Sequence, residues 1–300
     1  MRVLISGASG MLGSALSQAL TLRGDQVIAL VRREAQHAAE ISWDPAAGVL
    51  DPAALTGIDA VVNLSGAPLI QIPRRWTRSY IEELYASRIG PTRTLAAAIA
   101  SVDEPPKVLI SQSGAGYYGS HESSVYDESG PQGEGVLADL CGLWEAATAQ
   151  ASDVTRVTRM RTGVVLGPRG GALAKLLVPL KWGVGGNLGS GEQYWPWISQ
   201  PDLVAAIVFL LDQRLDGAVN LVAPELGTVA QLVEELARAL HRPHFFSVPA
   251  PLLELGLSKA AAREVLLTST KTRPAVLLEQ GFNFQHPELR SASEWVVSQL

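Results

Sequence analysis

The stretch Arg2-Val-Leu-Ile-Ser-Gly7-Ala-Ser-Gly10-Met-Leu-Gly13, followed by an apolar-periodic run to Leu22 and then Val27-Ile-Ala-Leu-Val31, decides the fold. A short β-rich run enters a G-x-x-G-x-x-G turn, a helix spans Met11 to Leu22, and a second strand follows at once. In such a turn one glycine permits the tight bend from strand to helix and another lets backbone approach a pyrophosphate. The last lets the helix pack close to the sheet. The pyrophosphate then rests on free amides at the positive end of the helix. Gly7, Ser9, Gly10, Met11, Leu12 and Gly13 are therefore candidate contacts to a dinucleotide.

Further strands read at Asp59-Ala-Val-Val-Asn63 and Lys107-Val-Leu-Ile-Ser111, with later ones at Val154 to Met160 and Ala218 to Val222. Between them lie helical stretches from Thr77 through Glu83 to Arg88 and from Pro91 to Ala100. Apolar strands separated by helices predict an α/β fold, a doubly wound parallel sheet covered on both faces. The second half differs: residues 183–191 carry five glycines and read as a loop, Trp195 and Trp197 follow, and Val229 to Leu240 has helical apolar spacing. The division expected is a nucleotide-binding domain over 1–165 plus about 198–222. A smaller, mostly helical substrate lobe takes 166–197 and 223–300.

The end of the second strand selects between the two nicotinamide cofactors. A site for NAD calls for an acid there, on the ribose 2′-hydroxyl. This chain has Val31-Arg32-Arg33. Two guanidiniums suit a 2′-phosphate, because the planar fork matches phosphate oxygens. NADP is the expected cofactor.

With 24 Lys and Arg against 29 Asp and Glu, the net charge is −5, and the chain as a whole has no electrostatic reason to bind nucleic acid or an anionic membrane. The lone cysteine, Cys141, excludes an intrachain disulfide and a cysteine zinc site. Five histidines show no metal spacing, and His241 and His244 straddle Pro243, so no metal is expected. The longest apolar run, Leu203 to Leu211, is too short for a membrane span, which needs about 20 residues. The first residues enter a strand directly and lack signal-peptide character, so the expected location is cytoplasmic. The expected partner is a small-molecule substrate, and the expected state is monomer or homodimer.

The glycine turn, Asn63-Leu-Ser-Gly66 and Tyr117-Tyr118-Gly119 resemble the extended short-chain dehydrogenase/reductase superfamily, whose nucleotide-binding half is a Rossmann domain. Arg75-Trp76, Ser87-Arg88, Trp144-Glu145, Arg161-Thr-Gly-Val-Val-Leu-Gly167, Gly189-Ser-Gly191, Trp197-Ile198, Arg273-Pro274 and Gly281-Phe282-Asn-Phe284 narrow the likeness. They resemble atypical NAD-dependent epimerase/dehydratase-type members that carry an extra C-terminal domain of unknown function. The resemblance implies cofactor contacts at Gly7, Gly10, Met11, Leu12, Val31, Arg32, Leu64 and Ser65, beside Arg33 and Gly66. It implies further contacts at Glu83 and Arg88 on a helix and at Val164.

The superfamily's usual acid-base pair is Tyr-x-x-x-Lys, in which the lysine lowers the phenol's pKa. No tyrosine here has a lysine four residues on. Anchoring on Glu145 puts Leu137 where the tyrosine belongs and Cys141 where the lysine belongs. The substitutes are Ser113, near the end of its strand, and Tyr117 and Tyr118 on the following loop. Lys175 and Lys181 read as surface, and Cys141 as an inert thiol on an apolar helix face. Trp182, Trp195 and Trp197 are candidates to line a substrate pocket or to fill the core. Two functional classes follow: an NADP-dependent oxidoreductase or nucleotide-sugar-epimerase-like enzyme, and a non-catalytic NADPH sensor or regulatory protein.

Overall fold

The computed structural model describes residues 1–71, 74–168 and 170–300. The strands are β1 (Arg2–Ser6), β2 (Gln26–Val31), β3 (Glu40–Ser42), β4 (Ala60–Asn63), β5 (Val108–Gly114), β6 (His121–Tyr126), β7 (Arg156–Thr162) and β8 (Val164–Leu166). They continue with β9 (Tyr194–Trp195), β10 (Trp197–Ser199), β11 (Gly217–Leu221), β12 (Gly227–Thr228) and β13 (Thr270–Thr272). The helices are α1 (Met11–Leu22), α2 (Arg78–Ala100), α3 (Val136–Ala146), α4 (Ala149–Ser152), α5 (Gly171–Lys181) and α6 (Gln200–Asp212). After them come α7 (Val229–Leu240), α8 (Ala250–Leu257), α9 (Lys259–Ala261), α10 (Ala275–Glu279) and α11 (Leu289–Ser298).

Seven strands form a parallel sheet in the order β11-β7-β5-β4-β1-β2-β3. The order reverses between β1 and β4, so the connections on either side of that point leave in opposite directions and open a crevice at the carboxyl ends of those strands. Both faces are covered. Leu16 and Leu20 of α1 and Leu203, Ile207 and Leu210 of α6 pack on one face against Val3, Ile5 and Val62. Leu95 and Ile99 of α2 pack on the other against Leu4, Val61 and Leu109. All of these side chains are fully buried. This is the doubly wound Rossmann architecture with a mostly helical C-terminal region.

The C-terminal region has its own core, in which α5, α7 and α11 pack around Leu177, Leu232, Leu236 and Val296 with Trp195 and Trp197. Short ladders tie it to the sheet domain. β8 pairs with β10 and β6 with β13, while the β9–β12 pair lies within the C-terminal region itself.

Two expectations change. The two helical stretches flanking Pro91 are one helix, α2, running from the Thr77 N-cap to Ala100. Proline removes a single backbone donor, yet the helix continues because its face on both sides of Pro91 is buried, through Tyr80 and Leu84 before it and Leu95 and Ile99 after it. The edge strand β3 and the β6–β13 pair carry too little apolar periodicity to read from sequence. Among the described residues no helix is long and apolar enough to cross a membrane.

Candidate active site

β1 and α1 meet at the glycine turn, whose geometry fits the roles expected from spacing. Gly7 has φ +73°, and a Cβ there would lie 2.8 Å from Leu64 O. A Cβ at Gly13 would overlap Gly7 O at 2.2 Å, so only glycine lets α1 sit this close to the turn. At Gly10 the nearest atom is Gly7 O at 3.3 Å. That position is restricted far less by the protein itself. No side chain caps α1, which leaves its first amides available to an anion.

The crevice floor is a buried polar chain. Ser65 Oγ donates to Ser6 Oγ at 2.9 Å, Ser6 Oγ to Asn63 Oδ1 at 2.6 Å, and Asn63 Nδ2 to Thr92 Oγ1 at 2.8 Å. It holds the end of β4, and with it Leu64-Ser65-Gly66, against β1.

At the end of β2 the two arginines separate. Arg33 is bidentate to Glu40 of β3, at 2.5 and 2.8 Å, and Glu40 is held down to about 2 by those hydrogen bonds. The expectation of no carboxylate at this point is thus corrected: β3 brings one in from seven residues along the chain. Arg32 is exposed and has no ion-pair partner among the described residues.

From this crevice a cleft of about 1010 Å³ runs toward the C-terminal region. Met11, Leu12, Leu64, Ser65, Gly66, Arg88 and Val164 line it. Arg88 is 7% exposed, with its guanidinium 5.2 Å from the Trp144 ring centroid and donating to Ala67 O at 2.7 Å. Burial pushes its pKa down, and among the described residues no carboxylate pairs with it. A buried cation facing a cleft without a counter-charge suits an anionic or electron-rich ligand. Glu83, on the same helix, is not on the cleft wall. It pairs with Arg74 at 2.6 Å on the surface, and that hydrogen bond holds its pKa down.

The other end of the cleft lies beside β5 and α3. Leu137 and Cys141 both line it, together with Ser113, Gln112 and Trp144. The Cys141 thiol is buried and pushed up to about 11 by desolvation. Ser113 Oγ donates to Glu145 Oε1 at 2.9 Å, and Arg161 grips the same carboxylate at 2.9 and 3.0 Å. Burial opposes the Arg161 cation, but the Glu145 hydrogen bonds win and hold its pKa above the usual value. The Ser113 O–H is therefore directed at Glu145, and the same hydroxyl lies within hydrogen-bond reach of the Cys141 thiol.

Tyr117 and Tyr118 are not on the cleft wall. Tyr118 is fully buried, donates to Asn220 Oδ1 at 2.7 Å and accepts from Arg161 at 3.0 Å. Burial pushes its phenol up to about 12. Tyr117 lies under the Arg161 guanidinium, 3.4 Å from ring centroid to carbon. The strand-to-turn geometry after Gly114 folds both phenols toward β7 and β11 instead of into the crevice.

In the wall contributed by the C-terminal region, sequence reasoning missed Glu264. A π-helical turn over Ala262–Leu266 puts Glu264 on the cleft, where its Oε2 accepts from the Leu137 backbone N–H at 3.2 Å. Lys175 is exposed, as its reading as surface expected, yet it also stands at the cleft and donates to Ile70 O at 2.6 Å. Of the three tryptophans, Trp195 is on the cleft wall, Trp197 is in the core and Trp182 is 81% exposed.

Comparison with known proteins matches this arrangement along its length. The family model of the NAD-dependent epimerase/dehydratase family fits residues 3–222, and that of a C-terminal domain of unknown function, DUF1731, fits residues 248–296. An epimerase family protein from Mycobacterium tuberculosis is 41% identical over 292 residues, covering 97% of this chain and 95% of its own. The epimerase family protein SDR39U1 from Homo sapiens is 35% identical over 300 residues, covering 99% of this chain and 100% of its own. The crystal structure of human SDR39U1 (isoform 2) with NADPH superposes at a TM-score of 0.93 and 34% identity, covering 100% of both chains. With the glycine turn, the doubly wound sheet and the C-terminal domain all matched, the chain belongs to the NAD-dependent epimerase/dehydratase family.

Proposed function

We propose that this protein binds NADP(H) and carries out redox chemistry on a small carbonyl- or hydroxyl-bearing substrate, as an oxidoreductase or a nucleotide-sugar-epimerase-like enzyme. The observation that carries the cofactor choice is Arg32, left without a carboxylate at the end of β2 while Arg33 is occupied by Glu40. A relative crystallised with NADPH supports it. Gly7, Ser9, Gly10 and Gly13 with the amides of Met11 and Leu12 would hold the pyrophosphate, and Val31 and Arg32 the 2′-phosphate end. Leu64, Ser65, Gly66, Arg88 and Val164 would line the rest. When bound, the nicotinamide supplies or accepts a hydride.

The chain's own part in the chemistry rests on Ser113. With its O–H donating to Glu145, Ser113 Oγ is oriented to accept a hydrogen bond from a substrate hydroxyl and fix its position. Tyr117 and Tyr118 serve this reading as the packing around Arg161, which holds Glu145 in place. The 1–165 and 198–222 segments form the cofactor domain, and 166–197 with 223–300 the substrate lobe. The cytoplasm is the compartment assigned.

A sensor without turnover is the second reading. It is favoured by Leu137 and Cys141 facing the cleft, since neither handles protons at neutral pH. Titration calorimetry with NADPH and NADH, followed by NADPH oxidation against a panel of aldehydes, ketones and quinones, separates the two. Tight NADPH binding with turnover supports the enzyme, tight binding without turnover supports the sensor, and equal affinities for both cofactors reject the NADP assignment.

A further inference from the structure

The exposed apolar surface is not scattered evenly. Eight of the sixteen large apolar side chains that stand exposed among the described residues fall in two short segments, 178–184 and 245–255. They include Trp182 at 81% and Phe245 at 87% exposure. Leu252 and Leu255, three apart on α8, are exposed as well, and α8 has no buried residue at all.

These segments are neighbours in space. Val248 N donates to Asn187 O at 2.8 Å and Gly189 N to Val248 O at 2.9 Å. A Cβ on Gly183 would meet Pro243 at 3.3 Å, so the Trp182 turn abuts the 243–248 loop. Val178 and Trp182, four apart, share a face of the α5 end, and the same spacing leads back to Ala174 on the cleft wall. Exposed aromatic and aliphatic side chains in one patch mark an interaction surface.

The charges around the patch identify the partner. Within 178–184 and 241–259 the only acid is Glu254, and Arg263 neutralises it at 2.7 Å. Lys181, Arg242 and Lys259 are all exposed there, beside His241 and His244. A chain of net charge −5 thus carries a locally positive apolar patch. A second copy docked on the same patch about a two-fold axis would bring these cations against themselves, which costs energy at close range. An anionic partner gains instead. Tryptophan, phenylalanine and leucine beside lysine and arginine match the boundary between acyl chains and anionic headgroups, which deforms around projecting rings without preformed pockets.

We propose that this face docks on an anionic lipid surface, with Trp182, Phe245, Leu252 and Leu255 entering the headgroup boundary and Lys181, Arg242 and Lys259 meeting lipid phosphates. The global charge argues against membrane affinity, and the local one reverses it. Binding should be peripheral and sensitive to salt.

Sedimentation of the full chain with sucrose-loaded vesicles tests this. Vesicles of phosphatidylcholine with about one-third phosphatidylglycerol should carry down the protein at low salt, and pure phosphatidylcholine or high salt should release it. The Trp182→Ser/Phe245→Ser variant should lower the partition coefficient by about tenfold. Lys181→Glu/Arg242→Glu should abolish the preference for phosphatidylglycerol. Both variants should keep the parent's NADPH affinity and melting temperature, since none of the four residues touches the cleft. Absence of the protein from the phosphatidylglycerol pellet, or equal sedimentation of parent and variants, overturns the proposal. So does a dimer in light scattering that Trp182→Ser/Phe245→Ser dissolves, because a second copy would then cover the face.

Discussion

The two ends of the cleft are built on opposite terms. At the β1–α1 turn the backbone does the work: two glycines leave no space for a Cβ, and the helix end stays uncapped. At the β5–α3 end side chains do it. Leu137, Cys141 and Ser113 stand on the cleft wall, and behind them Glu145, Arg161, Tyr118 and Asn220 continue the hydrogen-bond network that starts at Ser113. A backbone cradle admits one ligand shape and little variation. A side-chain site can be rebuilt by substitution while the fold stays.

The largest effect expected is at the cradle. Gly10→Val should remove NADPH binding by more than about 100-fold, because the branched side chain fills the pyrophosphate's space, while circular dichroism shows a folded chain. Gly13→Val should differ in kind. The 2.2 Å overlap falls on backbone, so the turn itself must give way and the melting temperature should drop along with binding. Equal behaviour of the two variants would break the contrast between them.

Next is the network. Glu145→Leu strands the buried Arg161 cation, and denaturant unfolding should show a loss of about 3–5 kcal/mol. If the loss is under about 1 kcal/mol, the pair is not what holds the β5–α3 end together.

Arg32→Ala should weaken NADPH by about 10–150-fold and leave NADH nearly unchanged in calorimetry. Arg33→Ala should have the smaller effect, since Glu40 already engages that guanidinium. The reverse order would reassign the 2′-phosphate contact to Arg33.

The smallest effect is alkaline. Cys141 is raised from 9.0 to about 11 and Tyr118 from 10.0 to about 12. Both acids keep their protons longer in the folded chain, so the stability they contribute is intact below about pH 9 and lost as pH rises toward 11 and 12. Thermal melts across that range should fall, and Cys141→Ala should remove the earlier part of the fall. A melting temperature flat from pH 9 to 12 would show both groups to be better solvated than their burial implies.

Local signals were readable where chemistry is local. The bounds of α1 and α7 follow from apolar spacing, and the glycine roles follow from the bend between strand and helix, which depends on a few adjacent residues. Helix α2 shows the limit: Pro91 reads as a break, but burial of the helix on both sides of it overrides a single lost donor. For Ser113, strand position was enough to put it on the cleft, whereas the neighbouring phenols needed the packing around Arg161 to be located.

Sequence by itself determined the doubly wound class, the glycine cradle, the arginines after β2 and the absence of the tyrosine–lysine pair, because each is a pattern of residue types at fixed short spacing. Tertiary structure alone decided which arginine is free, since Glu40 reaches Arg33 only when β3 joins the sheet edge. It decided that Tyr118 is buried against Asn220, 102 residues away, and that Glu264 reaches α3 from 127 residues away. It also gathered two apolar segments into one positively charged face. Such contacts join residues whose separation along the chain carries no periodicity, and only the closed packing of sheet and C-terminal region fixes them.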